Sequence, residues 1–381
     1  MSAGTPTPQR PAAPVRYSEG VEQPQADEAE TIRELVDTLR SIADTTKRDH
    51  GRGLRSVHAK CHGIVFGELL VDDDLPPELA QGLFSRRASY PVVVRFSTSP
   101  GDPIHDNVSL PRAMAIKIIG VEGERVSGDE TSRTQDFVMV NGPVFLKRDA
   151  KSFLKSLKLL ARTTDRAEGA KKVLSSVLRG AEKALEAIGG ESATLKAIGG
   201  QPRTHLLGET FFTQVPLRFG EYMAKLSLAP ASESLRRLTD LELEPGDDNP
   251  HYLRDASVEF FAHDDAEWKL RAQLCVGLDE MPVEDASVEW PEEKSAYRTI
   301  ARLVVPRQPA WIEGPSGSLD ERLSFTPWHA LAAHRPLGSV MRARRDVYRA
   351  MAAYRAQQNG VAFAEPRSVE ELQLRDLPPA R

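Results

Sequence analysis

Hydrophobic positions along the chain follow two periods. Between residues 30 and 43, Ile32, Leu35, Val36, Leu39 and Ile42 recur at helical spacing, so an amphipathic helix opens the fold. The period then shortens to two. Residues 54–71 pass from a polar start into a strand-like run that ends at Asp72, Asp73 and Asp74. Residues 90–98, YPVVVRFST, are β-branched and strand-like. Residues 111–120 set Met114, Ile116 and Ile118 against Ala115 and Lys117, and residues 134–146 form a further strand interrupted at Asn141, Gly142 and Pro143. Polar turns, not long helices, separate these runs, which predicts antiparallel neighbours in a meander or barrel.

The pattern changes at residues 149–198. Phe153, Leu154, Leu157 and Leu160 suit one helix; Val173, Val177, Ala181, Leu185 and Ile188 suit a second, ended by Gly189 and Gly190. This predicts a helical insertion in the β framework. Strand patterns return at ETFFTQVPLRFG (209–220) and EYMAKLSLAP (221–230). Trp268, Leu270, Ala272, Leu274 and Val276 then alternate with polar neighbours, as in a half-buried strand, and YRTIARLVVPRQ (297–308) closes the series. Residues 306–327 carry Pro, Gly and Ser and read as a long surface connection; TPWHALAAHRP (326–336) reads as a short helix. Residues 337–359 read as a long helix rich in Ala and Arg, with Gly360 as its stop signal. The predicted class is therefore α+β, an antiparallel β-barrel core with surrounding helices. Residues 1–29, rich in Pro, Gln, Ser and Glu, read as a disordered lead-in, and residues 30–381 as a single domain.

Composition narrows the function classes. Of 381 residues, 40% are hydrophobic and 28% charged, which suits a sizeable core. Lys+Arg 50 against Asp+Glu 55 gives a net charge of −5, which argues against nucleic acid and anionic membrane surfaces as partners. With only Cys61 and Cys275, neither a disulfide framework nor a Cys-built zinc site is expected, and a reducing compartment fits. No apolar run is long enough to span a bilayer, and the N-terminus lacks the apolar core of a secretory signal, so a cytoplasmic protein is expected.

Candidate chemistry sits at the two ends of the chain. Arg55, His58, Arg95 and Ser97 are polar residues on or beside apolar strands. A histidine beside a serine is held in one tautomer, leaving the other ring nitrogen as an acid or base. Zinc binding by His50, His58 and His62 lacks a common ligand spacing, and neither a G-x-S-x-G elbow nor a phosphate-cradling Gly-rich loop is present. In the C-terminal helix, Arg344, Tyr348, Met351 and Arg355 fall at i, i+4, i+7 and i+11 and share one face. A guanidinium one turn from a phenol favours the phenolate, and a second arginine gives that face a place for an anion. A phenolate flanked by cations on a flat face suits an iron porphyrin with two carboxylate arms; taken alone, the helix equally suits a solvated Arg-rich face with two tyrosines packed inward.

Together these segments resemble the haem catalase superfamily. RSVHAK (55–60) resembles its distal-histidine motif, VRFST (94–98) its next strand, and NGPVFLKRDAKSF (141–153) its N-x-P-V-F-F-x-R-D segment. Arg344 and Tyr348 match its proximal R-x-x-x-Y pattern, with Arg355 at the later arginine. The chain's size looks more like the compact catalase-related peroxidases. The resemblance implies a ferric haem b ligated by Tyr348, with Arg344 holding the phenolate charged. It implies His58 as proton shuttle oriented by Ser97, Asn141 as the distal amide, and Arg55, Arg95 and Arg355 on the propionates. Val57, Phe145 and Phe153 would pack on the haem.

Two departures from the family pattern stand out. Val140 falls at the first residue of the family's Asn pair, so that Asn141 serves only if the strand shifts by one residue. Leu110 stands where catalases place a channel Asp. Both favour peroxidase chemistry over fast dismutation. The expectation is a haem peroxidase acting on hydrogen peroxide or organic hydroperoxides with a one-electron donor. The alternatives are hydroperoxide rearrangement as in coral allene oxide synthases, or haem sensing. The partners expected are small molecules, and the reading admits a homo-oligomer.

Overall fold

A computed structural model describes residues 13–161, 201–244, 249–363 and 365–372. Its centre is a β-barrel. The strands are β1 (Lys60–Val71), β2 (Ser89–Thr98), β3 (Arg112–Ile119), β4 (Thr134–Val140), β5 (Phe211–Phe212), β6 (Leu217–Phe219), β7 (Tyr222–Pro230), β8 (Ala266–Leu274) and β9 (Arg298–Val305). Their hydrogen-bonded order is β5-β4-β3-β2-β1-β9-β8-β7-β6, and β5 also pairs with β7, so eight strands close and β6 hangs on β7 as a hairpin partner. Every pairing is antiparallel. Closure leaves no exposed edge in the ring.

Alternation along each strand divides inside from outside. Val92, Val94 and Phe96 of β2, Met114, Ile116 and Ile118 of β3, and Phe137 and Met139 of β4 belong to one buried apolar cluster with Leu226, Trp268, Leu270 and Ile300. The barrel is therefore filled by side chains. The intervening residues, Arg95 and Ser97, Ala113 and Ala115, and Val138, face the layer outside.

Helices surround the barrel. They are α1 (Glu28–His50), α2 (Ala150–Ala161), α3 (Glu233–Arg236), α4 (Tyr252–His263), α5 (Pro315–Arg322) and α6 (Ser339–Asn359). α1, α2 and α6 pack on one another through Leu35, Leu39, Ala150, Leu154, Leu157 and Ala343. α5 lies on the barrel wall, with Leu319 and Leu323 against Cys61, Ile64, Val93 and Ala115. α6 begins at Gly338 and ends at Gly360, whose φ of 65° is the left-handed cap conformation that glycine adopts freely. Among the described residues no helix is long and apolar enough to cross a membrane.

Four expectations change. The disordered lead-in does not hold for residues 13–29. Val15 N donates to Cys275 O at 2.8 Å, Tyr17 N donates to Glu221 O at 2.7 Å, and Val15, Tyr17 and Val21 pack against a buried cluster that includes Met223 and Trp290. Three well-spaced apolar residues anchor a segment whose polar composition hides them. Residues 306–327 are not merely a surface connection, since they contain α5. Residues 326–336 hold only a 3-10 turn, Ala332–His334, in place of a helix. α4 has no counterpart in the pattern reading. The second helix expected in the insertion lies outside the described residues.

Candidate active site

Between the outer face of the barrel and α6 lies an open cleft with a cavity volume of about 110 Å³. The loop before β1 supplies Arg55, Ser56, Val57 and His58; β2 supplies Arg95 and Ser97; α6 supplies Val347, Tyr348, Met351 and Arg355. Ala113, Ala115, Val138 and Phe325 complete the apolar wall. Seven residues singled out from sequence thus meet in one cavity. Period-two alternation brings Arg95 and Ser97 there, and helical spacing brings Tyr348 and Arg355.

His58 has a φ of 52°, uncommon for a residue with a side chain, which orders of magnitude place at about 1–3 kcal/mol of backbone strain. Its loop is held by Ala59 N donating to Pro100 O at 3.0 Å. Gly101 makes the approach feasible, because a Cβ there would come within 2.2 Å of Ser56 O. Burial, followed by the guanidiniums of Arg95 and Arg344, pushes His58 down to about 3, so its imidazole is neutral at ordinary pH. Its Nδ1 is buried without a hydrogen-bond partner among the described residues, and Ser97, although in the same cavity, does not bind it. Orientation of His58 by Ser97 is therefore not made in this structure.

At one end of the cavity three guanidiniums converge on Asp320 of α5. Arg55 NH2 donates to Asp320 Oδ1 at 2.8 Å, and Arg95 Nε donates to the same oxygen at 2.7 Å. Arg355 NH2 donates to Leu323 O at 2.9 Å and its NH1 to Asp320 O at 3.3 Å. Burial alone would raise the Asp320 carboxyl, but Arg95 and Arg55 hold it well below the usual carboxylate range. Burial and then Arg55 push Arg355 down to about 8. The other nearby carboxylate, Glu321, accepts from Asn359 Nδ2 at 2.6 Å. Two of these guanidiniums thus share one carboxylate while the third bonds backbone carbonyls, an arrangement short of negative charge.

Four sequence expectations are corrected by position. Asn141 does not reach the cavity: its Oδ1 accepts from Arg112 N at 2.8 Å and its Nδ2 points to Gln201 at 3.4 Å. Val140 and Asn141 point to opposite sides by strand alternation, and no one-residue shift occurs, since Val140 pairs with Ala113. Arg344 does not bind Tyr348. Side chains on a helix lean toward its N-terminus, and Arg344 reaches back to Met341 Sδ at 3.8 Å, over the Phe145 ring at 5.4 Å. Phe145 and Phe153 pack on each other with their rings tilted, centroids 5.3 Å apart, and neither lines the cavity. Leu110 lines a separate small void with Thr98, His105 and Asp106.

The three histidines weighed for zinc are dispersed. His50 pairs with Asp102 at 3.0 Å and His62 with Thr98 Oγ1 at 2.9 Å, away from His58. Asp136, His329 and Glu365 do cluster, but Lys117 Nζ already sits among them, 2.8 Å from Asp136 Oδ1. Asp320 is the site residue that sequence reading missed. Its one signal was an acidic residue in LDERLSF, within the segment read as a connection.

Residues 23–174 match the family model for catalase. The fold is that of the catalases. The architecture is similar to a fungal catalase (TM-score 0.56, 20% identity, covering 83% of this chain and 63% of that one). It is similar also to catalase A from Saccharomyces cerevisiae (0.58, 19%, 92% and 69%) and to a bacterial catalase (0.54, 17%, 94% and 66%). At these identities the likeness is one of fold. The chain spans 63% to 69% of the length of these three catalases. A comparison with curated proteins finds no significant match.

The residues present fit a haem. An iron porphyrin with two carboxylate arms needs a flat apolar cleft, an axial donor and positive charge at one edge. Val57, 39% exposed in the open cleft, Val138, Phe325, Val347 and Met351 supply the first. Tyr348 would supply the second, and the surplus of guanidiniums over carboxylates would supply the third.

Proposed function

We propose that the protein is a haem-dependent oxidoreductase of peroxides. It reduces an alkyl hydroperoxide to the alcohol and water while two molecules of a one-electron donor are oxidised, and dismutes hydrogen peroxide only weakly. The observation that carries the haem reading is one cavity lined by Tyr348, His58, Arg55, Arg95 and Arg355. Tyr348 would ligate the iron as phenolate, and the three arginines would pair with the propionates by charge-assisted bonds. Haem bound there supplies the redox centre that accepts oxidising equivalents from the O–O bond. His58, neutral and buried, takes the proton from the peroxide hydroxyl and returns it to the departing oxygen.

The preference for a bulky peroxide rests on the wall beside His58. Val138 lines the cavity, and the Asn141 amide is engaged elsewhere. An apolar wall favours an alkyl group by roughly 25 cal/mol per Å² buried. Purified haem-replete protein tests the reading through kcat/KM for an alkyl hydroperoxide with a donor against oxygen release from hydrogen peroxide. The alkyl reaction is expected to be faster. Oxygen release near the diffusional limit overturns the preference, and hydroperoxide turnover without donor indicates rearrangement instead. Tyr348→Phe is expected to lose most haem or its phenolate spectrum; an unchanged spectrum rules out Tyr348 as ligand.

A further inference from the structure

Arg55, Arg95 and Arg355 come from three separate elements: a loop, a strand and a helix. Left alone, three guanidiniums this close repel one another. What gathers them is the C-terminal end of α5. A helix ends with unpaired carbonyls and partial negative charge. Here the carbonyl of Asp320, in the last turn, accepts from Arg55 NH2 at 2.7 Å and from Arg355. The carbonyl of Leu323, the cap residue, accepts from Arg55 NH2 and Arg355 NH2, each at 2.9 Å. The Asp320 carboxylate completes the set, bridging Arg55 to Arg95 and meeting Arg95 a second time through NH2 at 3.2 Å. Arg355 is steadied from its other side by the Phe363 ring, 4.6 Å away.

We propose that Asp320 is a positioning residue: with the carbonyl end of α5 it assembles the three arginines into a receptor for a dicarboxylate, the two propionates of the porphyrin. This rests on the haem reading above. One carboxylate against three guanidiniums leaves two positive charges, the number that two propionates neutralise. The role is not obvious from charge alone, since Asp320 is itself an anion beside the anions it helps to bind. Positioning and simple charge therefore predict opposite signs.

The test titrates the full-length protein, produced without added haem, with iron protoporphyrin IX and with its dimethyl ester, following absorbance. Wild type is expected to bind the free acid more tightly than the ester. Asp320→Asn is expected to shrink that preference at least tenfold, because the guanidiniums disperse. A preference that is unchanged or enlarged overturns the role of Asp320, since removing a mere neighbouring anion would strengthen propionate binding. Should Asp320→Asn not fold, as judged by circular dichroism, Asp320→Glu keeps the charge but moves it by one methylene. A reduced preference then supports positioning, and a wild-type ratio overturns it. A wild-type protein that binds neither porphyrin overturns the haem reading itself, whereas one that binds both equally overturns the dicarboxylate receptor and leaves the haem reading standing.

Discussion

The inside and outside of the barrel are made by the same strands and behave as different materials. On β2, Val92, Val94 and Phe96 point inward to a predominantly apolar cluster, whereas Arg95 and Ser97 point outward to a cleft with three guanidiniums. Inside, closure and close packing leave nothing for a ligand to do. Outside, a helix lies across the sheet without filling the space, and the buried charges there are only partly compensated. Alternation alone therefore separates a structural face from a binding face, and a residue's parity along the strand says which role it has.

The largest expected effect breaks the outer face chemically while sparing the fold. His58→Ala should retain haem and circular dichroism yet lose about a hundredfold to ten-thousandfold in peroxide turnover, measured by stopped flow. Wild-type rates in that variant would mean another group moves the proton.

Next comes the inner face. Phe96 packs against Phe261 and Trp268, with centroids 6.2 Å from each. Phe96→Ala should cost about 3–5 kcal/mol in urea unfolding through the cavity it leaves. A smaller loss would mean that the barrel interior relaxes around the gap.

A pH series sharpens the contrast further. His58 titrates near 6.5 in the unfolded chain but is held down to about 3 by burial. Between those values the unfolded state binds more protons, so this contribution to stability is complete above pH 6.5 and declines as pH falls toward 3. Removing the imidazole in His58→Ala should flatten the decline. His205 and His334, each pushed to about 4 by burial, would leave part of it in place.

The smallest effect is expected at Ser97, next to Phe96 but facing out. Ser97→Ala should change unfolding free energy by no more than about 1 kcal/mol. A loss comparable to that of Phe96→Ala would erase the distinction between the faces.

The sequence by itself determined the barrel and most of the candidate site. Alternation and helical spacing are local, so Arg95 and Ser97 fall on one strand face, and Tyr348 and Arg355 on one helix face, whatever surrounds them. The succession of strand-like runs along the chain and the α6 boundary at Gly360 were legible for the same reason. Tertiary structure decided the rest. Arg344 shares the helical face of Tyr348, yet its side chain leans one turn away and settles on Met341 and Phe145. Asn141 lies one residue from the cavity-facing parity, and only the pairing of Val140 with Ala113 shows that the strand does not shift. Phe145 and Phe153 pair with each other and do not reach the cleft. Asp320 sits in a Pro- and Gly-bearing stretch whose helix forms against the barrel wall. Its meaning depends on three arginines at sequence distances of 265, 225 and 35 residues. A charge cluster built from such distant parts has no period to betray it, and it exists only once the chain has closed around it.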